Sequence, residues 1–281
     1  RDAVRIDKKN GNTRWQDATK KEIGQLMDYK TFRVEDSVDA LDKEYVYVPM
    51  VMAYDCKFDG RRKARYCANG SRTPQPGDDI YSGVVGIDSI RLVLFLAQLN
   101  NLQVCAADVS SAFLQAICKE KVYTIAGPEF VMYDPMLKGK VLVMEKSIYG
   151  LRSASASFHE HCTKVLLEIG FKPSKADPDL WMKDCGTHFE YIATWVDDLL
   201  IMSKQPMEII HQLERHYDLK GVGVPSYYLG GDIRTNKDGN YVTDCKTYIN
   251  RVTEKIEKLM DWTLRAFMSP EDPNYHPIGR R

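Results

Sequence analysis

Residues 191–202 read YIATWVDDLLIM, with two adjacent aspartates, Asp197 and Asp198, between two short apolar runs. Runs of that length with a polar break predict the two strands of a buried hairpin. Two carboxylates at one turn repel each other, and burial raises the cost. A cation relieves the conflict, and hard divalent ions such as Mg²⁺ take carboxylate oxygen. The alternative is an ordinary solvated turn, because turns favour Asp. A third carboxylate shifts the balance: the apolar run 102–109, LQVCAADV, brings Asp108 to its end.

The chain has 281 residues and no formal net charge. That length suits one large domain or two to three subdomains. With a balanced charge, any nucleic-acid footprint must be local. Seven scattered cysteines without a CxxC pair predict reduced thiols in an intracellular protein rather than a disulfide scaffold. His159-Glu160-His161-Cys162 has ligand-type side chains, but it falls in a helical stretch with no second half-site, so a structural or surface role is expected rather than zinc. No apolar run reaches membrane-spanning length, and the N-terminus lacks the apolar core of a signal peptide, so no membrane partner is expected. The chain opens on Arg1 rather than Met, which reads as a piece of something longer.

Helix-type spacing predicts a helix over 13–30 with Thr13 as N-cap, and others over 89–101, from SASAS to Ile169 closed by Gly170, over 206–218 and over 246–260. Strands are expected over 45–58 and 61–68, joined at Asp59-Gly60. Others are expected up to Asp108, in KVYTIA and KVLVME between 121 and 145, in the 191–202 hairpin and over 227–233, which an Asp-Gly turn at 238–239 follows. SSAFLQA reads as helical, 73–88 as a loop, 171–189 as irregular, and the tail from Pro270 as poorly ordered. Between Lys57 and Arg72 lie six basic residues against one Asp. This is either a solvated face or a phosphate-gripping hairpin, with Lys63 and Arg65 on one side by period-two alternation.

A strand ending in Asp108, a helix, and a strand–AspAsp–strand unit can bring three carboxylates to one end of one sheet. Two divalent ions held there can clamp the attacking and leaving oxygens of a phosphoryl transfer, and most of the remaining work is positioning. The basic hairpin would hold a triphosphate.

The order and spacing of several motifs go further. From about Trp15 to about Ile256 the chain carries WQDATKKEIGQL, KARYCANG, YSGVVGIDSIRLVL, ADVSSAFLQA, KSIYGLRSASASF, ADPDLWM, WVDD and YLGGDI. In this it resembles the reverse transcriptase domain of copia-type LTR retrotransposons, part of a Pol polyprotein. The resemblance implies an α+β right-hand polymerase fold of fingers, palm and partial thumb, with an antiparallel palm sheet backed by helices. It divides the chain into an N-terminal flank and fingers (1–88), a first part of the palm (89–116), a fingers return (117–153), a second part of the palm (154–244), and the start of the thumb with the tail (245–281). It implies an RNA- and DNA-directed DNA polymerase using two Mg²⁺ ions, or Mn²⁺ in their place. A primed RNA or DNA template and dNTP would be its partners, in the cytoplasm within a virus-like particle. No ribonuclease H or integrase region is visible.

By the same resemblance, Asp108, Asp197 and Asp198 are the catalytic metal-binding triad, with the carbonyl of Val109 joining the metal shell. Phe113 matches the aromatic gate against a ribose 2′-OH; its other reading is a core residue on an apolar helix face. Tyr149 and Gly150 match a turn at the incoming nucleotide or template, and Lys63 and Arg65 the fingers residues near the triphosphate. Leu229, Gly230 and Gly231 match the primer grip, Trp195 a primer contact, and Tyr248 to Met260 the first thumb helix. Three departures stand out: Trp195 replaces the usual Tyr before Val-Asp-Asp, KARYCANGS stands for KARLVAKGF, and YGLRSASASF for YGLKQAPRAW. They fit a divergent lineage or a decaying copy, so a catalytically inert nucleic-acid-binding module is the alternative function.

Overall fold

A computed structural model describes residues 2–57, 60–75 and 80–264. The chain divides into two compact units, Arg1–Val224 and Pro225–Arg281.

The first unit is built around a six-stranded antiparallel sheet. Its strands lie in the order Leu219–Gly223, Gln103–Val109, Asp198–Ser203, Phe189–Trp195, Leu180–Asp184, Lys172–Pro173. Leu199 to Ser203 are all buried, as expected of an interior strand covered on both faces. Side chains alternate between the faces. Cys105, Ala107, Val109, Leu199 and Ile201 therefore share one face, which packs on Phe158, Cys162, Val165 and Leu166 of helix Ala154–Glu168 and on Ile209, Ile210 and Leu213 of helix Pro206–Leu213. Asp108 and Asp198 fall on the other face, with the buried Leu200 and Met202.

A second core joins helix Arg14–Asp28 to a four-stranded sheet ordered Phe32–Glu35, Val141–Met144, Val122–Ile125, Val46–Tyr47. Phe130 is its centre, with ring centroids 5.2 Å from Tyr66 and 5.7 Å from Phe32. Tyr66 belongs to the basic hairpin, in which Met50–Cys56 pairs with Arg62–Ala68. Ala64, Tyr66 and Ala68 point into the core, so Lys63 and Arg65 share the opposite side of the strand.

The α+β architecture and most elements agree with the sequence reading. Several do not. Helix Asp2–Asn10 precedes the first expected element. Thr13 stands at the N-cap of the next helix as expected, but its side chain makes no cap hydrogen bond and its hydroxyl turns to Asp17. The buried Asp7 carboxylate instead accepts the N–H groups of Trp15 and Gln16, meeting the demand of an open helix start from outside the helix. Pro49 splits the expected 45–58 strand, since it cannot donate to a ladder. Helix Pro128–Tyr133 lies between the strands of 121–145. The expected irregular stretch 171–189 holds two strands, which pair with the central hairpin or with each other. The expected 206–218 helix ends at Leu213, and Leu219–Gly223 follows as a strand. Helix 246–260 is found as Lys246–Met260. Asp59, most of TPQPGDD and the tail from Pro270 lie outside the described residues.

In helix Ala154–Glu168, His159 Nε2 lies 2.7 Å from buried Asp179, Glu160 pairs with Lys119 and Lys164, and His161 Nδ1 lies 2.9 Å from the Tyr217 hydroxyl. His159, Glu160 and His161 thus turn to different partners and Cys162 is buried in the core, which fits a structural role for the segment. Among the described residues no helix is long and apolar enough to cross a membrane.

Candidate active site

The hairpin of Phe189–Trp195 and Asp198–Ser203 closes on Trp195 opposite Asp198, leaving Val196 and Asp197 as a two-residue turn. Val196 takes φ +53°, a left-handed conformation that β-branched residues rarely adopt. The Asp197 carbonyl accepts the Val109 N–H at 2.8 Å, which ties the strained turn to the strand carrying Asp108.

Strand register does the rest. Trp195 lies opposite Asp198, Asp198 opposite Asp108, and Asp108 opposite Lys220. These four side chains form one rung across four strands and share a face. Lys220 Nζ is 2.7 Å from Asp108 Oδ1, off the hydrogen-bonding angle, so that buried oxygen has an ion-pair partner but no hydrogen bond. The sequence pattern does not single out Lys220. Its strand reads LKGVG, with two glycines and no alternation, and only pairing with Gln103–Val109 reveals its place.

The carboxylates are held in conflict. Burial, then Asp197 and Asp108, push Asp198 up from 3.8 to about 6. Burial raises Asp197 too, helped by Asp108 and opposed by Lys220 and Lys63. The three carboxylates do not form a closed cluster with every donor atom within 4.8 Å of the others. They are an open acidic set on one rung and its turn. All-oxygen donors, the raised Asp197 and Asp198, and a buried Asp108 oxygen without a hydrogen bond fit a hard divalent cation.

The basic side faces this set. Burial, then Arg65, Lys57 and Lys220, lower Lys63. Arg65 stacks its guanidinium 5.3 Å from the Tyr149 ring, and its Nε is buried without a hydrogen-bond partner. Burial and then Asp197 raise Tyr149. The Tyr149 ring stands edge-on to Phe113, 4.9 Å between centroids. Phe113 is half-buried on the short helix Ala112–Gln115 and packs against both cores, so it is a core residue on one side whatever its other edge does.

Gly150 fixes this assembly. It has φ +89°, and an added Cβ would lie 2.0 Å from the Ala68 carbonyl. Only glycine lets the turn approach the basic strand, where the Ala68 N–H donates to the Tyr149 carbonyl at 2.7 Å.

In the second unit, Tyr228 pairs with Gly231, leaving Leu229 and Gly230 as a two-residue turn with φ +46° and +87°. Two positive φ values are the type I′ pattern. The expected single strand over 227–233 is thus a hairpin.

A family profile described as reverse transcriptase (RNA-dependent DNA polymerase) matches residues 29–266. Over 207 residues the chain is 30% identical to the retrovirus-related Pol polyprotein from transposon RE1 of Arabidopsis thaliana, covering 69% of this chain and 14% of that one. Over 258 residues it is 29% identical to the transposon Ty1-LR2 Gag-Pol polyprotein of Saccharomyces cerevisiae, covering 86% of this chain and 14% of that one. A solved foamy viral protease-reverse transcriptase in complex with double-stranded DNA is similar over 90% of this chain and 38% of that one, with a TM-score of 0.49 at 17% identity. The chain belongs to the reverse transcriptase (RNA-dependent DNA polymerase) family, and the copia-type resemblance stands. It spans about 14% of the length of these polyproteins.

In the absence of divalent cation, carbon-13 NMR of labelled aspartate should show Asp198 titrating at about 6. Asp197→Asn or Asp108→Asn should each move that midpoint down. A parent midpoint near 3.8 would contradict the geometry described.

Proposed function

We propose that this chain is the polymerase core of a retrotransposon Pol polyprotein, extending a primer on an RNA or DNA template with dNTPs. The observation that carries the reading is the rung of Lys220, Asp108, Asp198 and Trp195 beside Asp197, faced by Lys63, Arg65, Tyr149 and Phe113. Asp108, Asp197 and Asp198, with the Val109 carbonyl, would hold two Mg²⁺ ions, with Mn²⁺ as a substitute. The chemistry two such ions supply is charge neutralisation at the attacking and leaving oxygens.

The chain's own residues do the positioning. Lys63 and Arg65 hold the triphosphate, and the unpartnered Arg65 Nε is a donor suited to a phosphate oxygen. Tyr149 aims Arg65 by stacking and, with Gly150, brings the turn to the nucleotide. Phe113 lies under the sugar and excludes a 2′-OH. Lys220 offsets the charge of Asp108. Trp195 packs on the primer end, and Leu229, Gly230 and Gly231 form the primer grip. In the finer division, the six-stranded sheet is the palm, the basic hairpin and four-stranded sheet the fingers, and Lys246–Met260 the first thumb helix. Other Pol regions and a cytoplasmic virus-like particle are the expected setting.

The test is primer extension by the purified chain on poly(rA)/oligo(dT). The parent should extend. Asp197→Asn should lose about 100-fold or more while keeping duplex affinity. Lys63→Ala with Arg65→Ala should raise the dNTP requirement, and its effect should shrink at high salt. Tight duplex binding by the parent without extension would favour the binding-module reading.

Phe113→Ala should raise ribonucleotide use relative to dNTP by about 10–100-fold, because the ring excludes by volume. Unchanged rejection of rNTPs would make Phe113 a core residue alone.

A further inference from the structure

A second cluster of ligand-type side chains lies at the other end of the sheet. Strands Leu180–Asp184 and Phe189–Trp195 pair from Asp184 opposite Phe189, so residues 185–188 form the connecting loop. The Cys185 N–H donates to the His188 carbonyl at 2.9 Å, and Gly186 at φ +80° takes the sharp bend. That closure brings the two side chains together across the loop. Glu190, two residues beyond His188 in the emerging strand, joins the same side. The Cys185, His188 and Glu190 donor atoms all lie within 4.8 Å of one another, the one such set among the described residues.

We propose that Cys185, His188 and Glu190 bind one divalent transition-metal ion of the zinc class. The donors are a thiol, an imidazole and a carboxylate, the set that borderline ions prefer over Mg²⁺. His188 Nε2 is buried and has no hydrogen-bond partner. It lies 4.0 Å from Glu190 Oε1, too far for a hydrogen bond, with the two side chains only 11% and 13% exposed. Metal–donor lengths of about 2.0–2.3 Å put tetrahedral ligands roughly 3–4 Å apart, so little closure is needed.

The surroundings point the same way. The Thr187 hydroxyl lies 3.0 Å from His188 Nδ1, which leaves Nε2 for a metal, and Ser203 donates to Glu190 Oε1, which fixes the orientation of that carboxylate. Hydrogen bonds to the ligand side chains are what orient a metal site. On binding, Cys185 gives its proton to solvent as the sulfur–metal bond forms. A doubly charged ion with one thiolate and one carboxylate is then neutral, and water completes the fourth position. The seven-residue strand between loop and turn, at about 3.3 Å per residue, separates this site from Asp197 by roughly 20 Å. It is therefore separate from the carboxylate set and selects a different ion.

The test uses the full chain, reduced and stripped of metal, titrated with Co²⁺. One Co²⁺ per chain should give a thiolate-to-cobalt band in the near ultraviolet that Zn²⁺ displaces and excess Mg²⁺ does not. Cys185→Ser and His188→Ala should each remove the band, and Asp197→Asn should retain it. Thr187→Val leaves all three ligands in place and should weaken Co²⁺ about tenfold or more. Absence of a band in the parent, or a band that persists in Cys185→Ser because another cysteine supplies the thiolate, would overturn the proposal.

Discussion

Asp108 and Asp198 sit opposite each other on adjacent strands, and like charges in that position destabilise a sheet. The rest of the first unit is arranged so that the pair survives. Lys220 stands on the far side of Asp108 at 2.7 Å. Behind the aspartates, Leu199, Leu200, Ile201 and Met202 are fully buried. Burial of each such side chain contributes roughly 1.5–3 kcal/mol, whereas a cross-strand charge pair is worth up to about 1 kcal/mol. The apolar strand wins and holds the acidic pair in place. A slip of one residue would turn the carboxylates into the helix-covered core, so the register that creates the conflict also cannot relax.

Secondary devices work on the same problem. The Val196–Asp197 turn is strained, and the Val109 N–H holds it down. On the opposing side, Gly150 lets the Tyr149 turn press against the basic strand, so that the faces carrying Lys63, Arg65 and Phe113 are fixed by packing rather than by long flexible side chains. Positive and negative groups are thus held on separate rigid elements. This is how a chain with no net charge can build a strongly polar site.

Much of this was readable in the sequence because it rests on local pattern. The apolar runs flanking Asp197-Asp198, the Asp108 strand, the basic hairpin and the amphipathic Lys246–Met260 helix declare themselves by period. What escaped depends on distant partners. Lys220 sits in a glycine-rich edge strand that exists because Gln103–Val109 is there to pair with it. Leu180–Asp184 was hidden behind PSKADPD, whose turn residues dominate the window. With that strand unseen, Cys185, His188 and Glu190 had no hairpin to bring them together. Leu229-Gly230 turns the chain without the Asn-Gly or Asp-Gly signature that announces such turns. His159–Cys162 looked ligand-like on spacing, and only the separate partners of each side chain settle its role.

Burial, and then the charges of Asp197 and Asp108, make ionisation of Asp198 costly in the folded chain. Asp198 keeps its proton more readily folded than unfolded, so its contribution favours folding at low pH and is lost as pH climbs from about 4 through about 6. At pH 8 it should be a net cost unless a divalent cation is present. Thermal unfolding of the parent and Asp198→Asn at pH 8, with EDTA and with Mg²⁺, measures this directly. With EDTA the variant should melt above the parent, and Mg²⁺ should raise the parent and narrow the gap. A variant that melts below the parent in EDTA would mean that the fold does not hold the Asp198 charge at a cost.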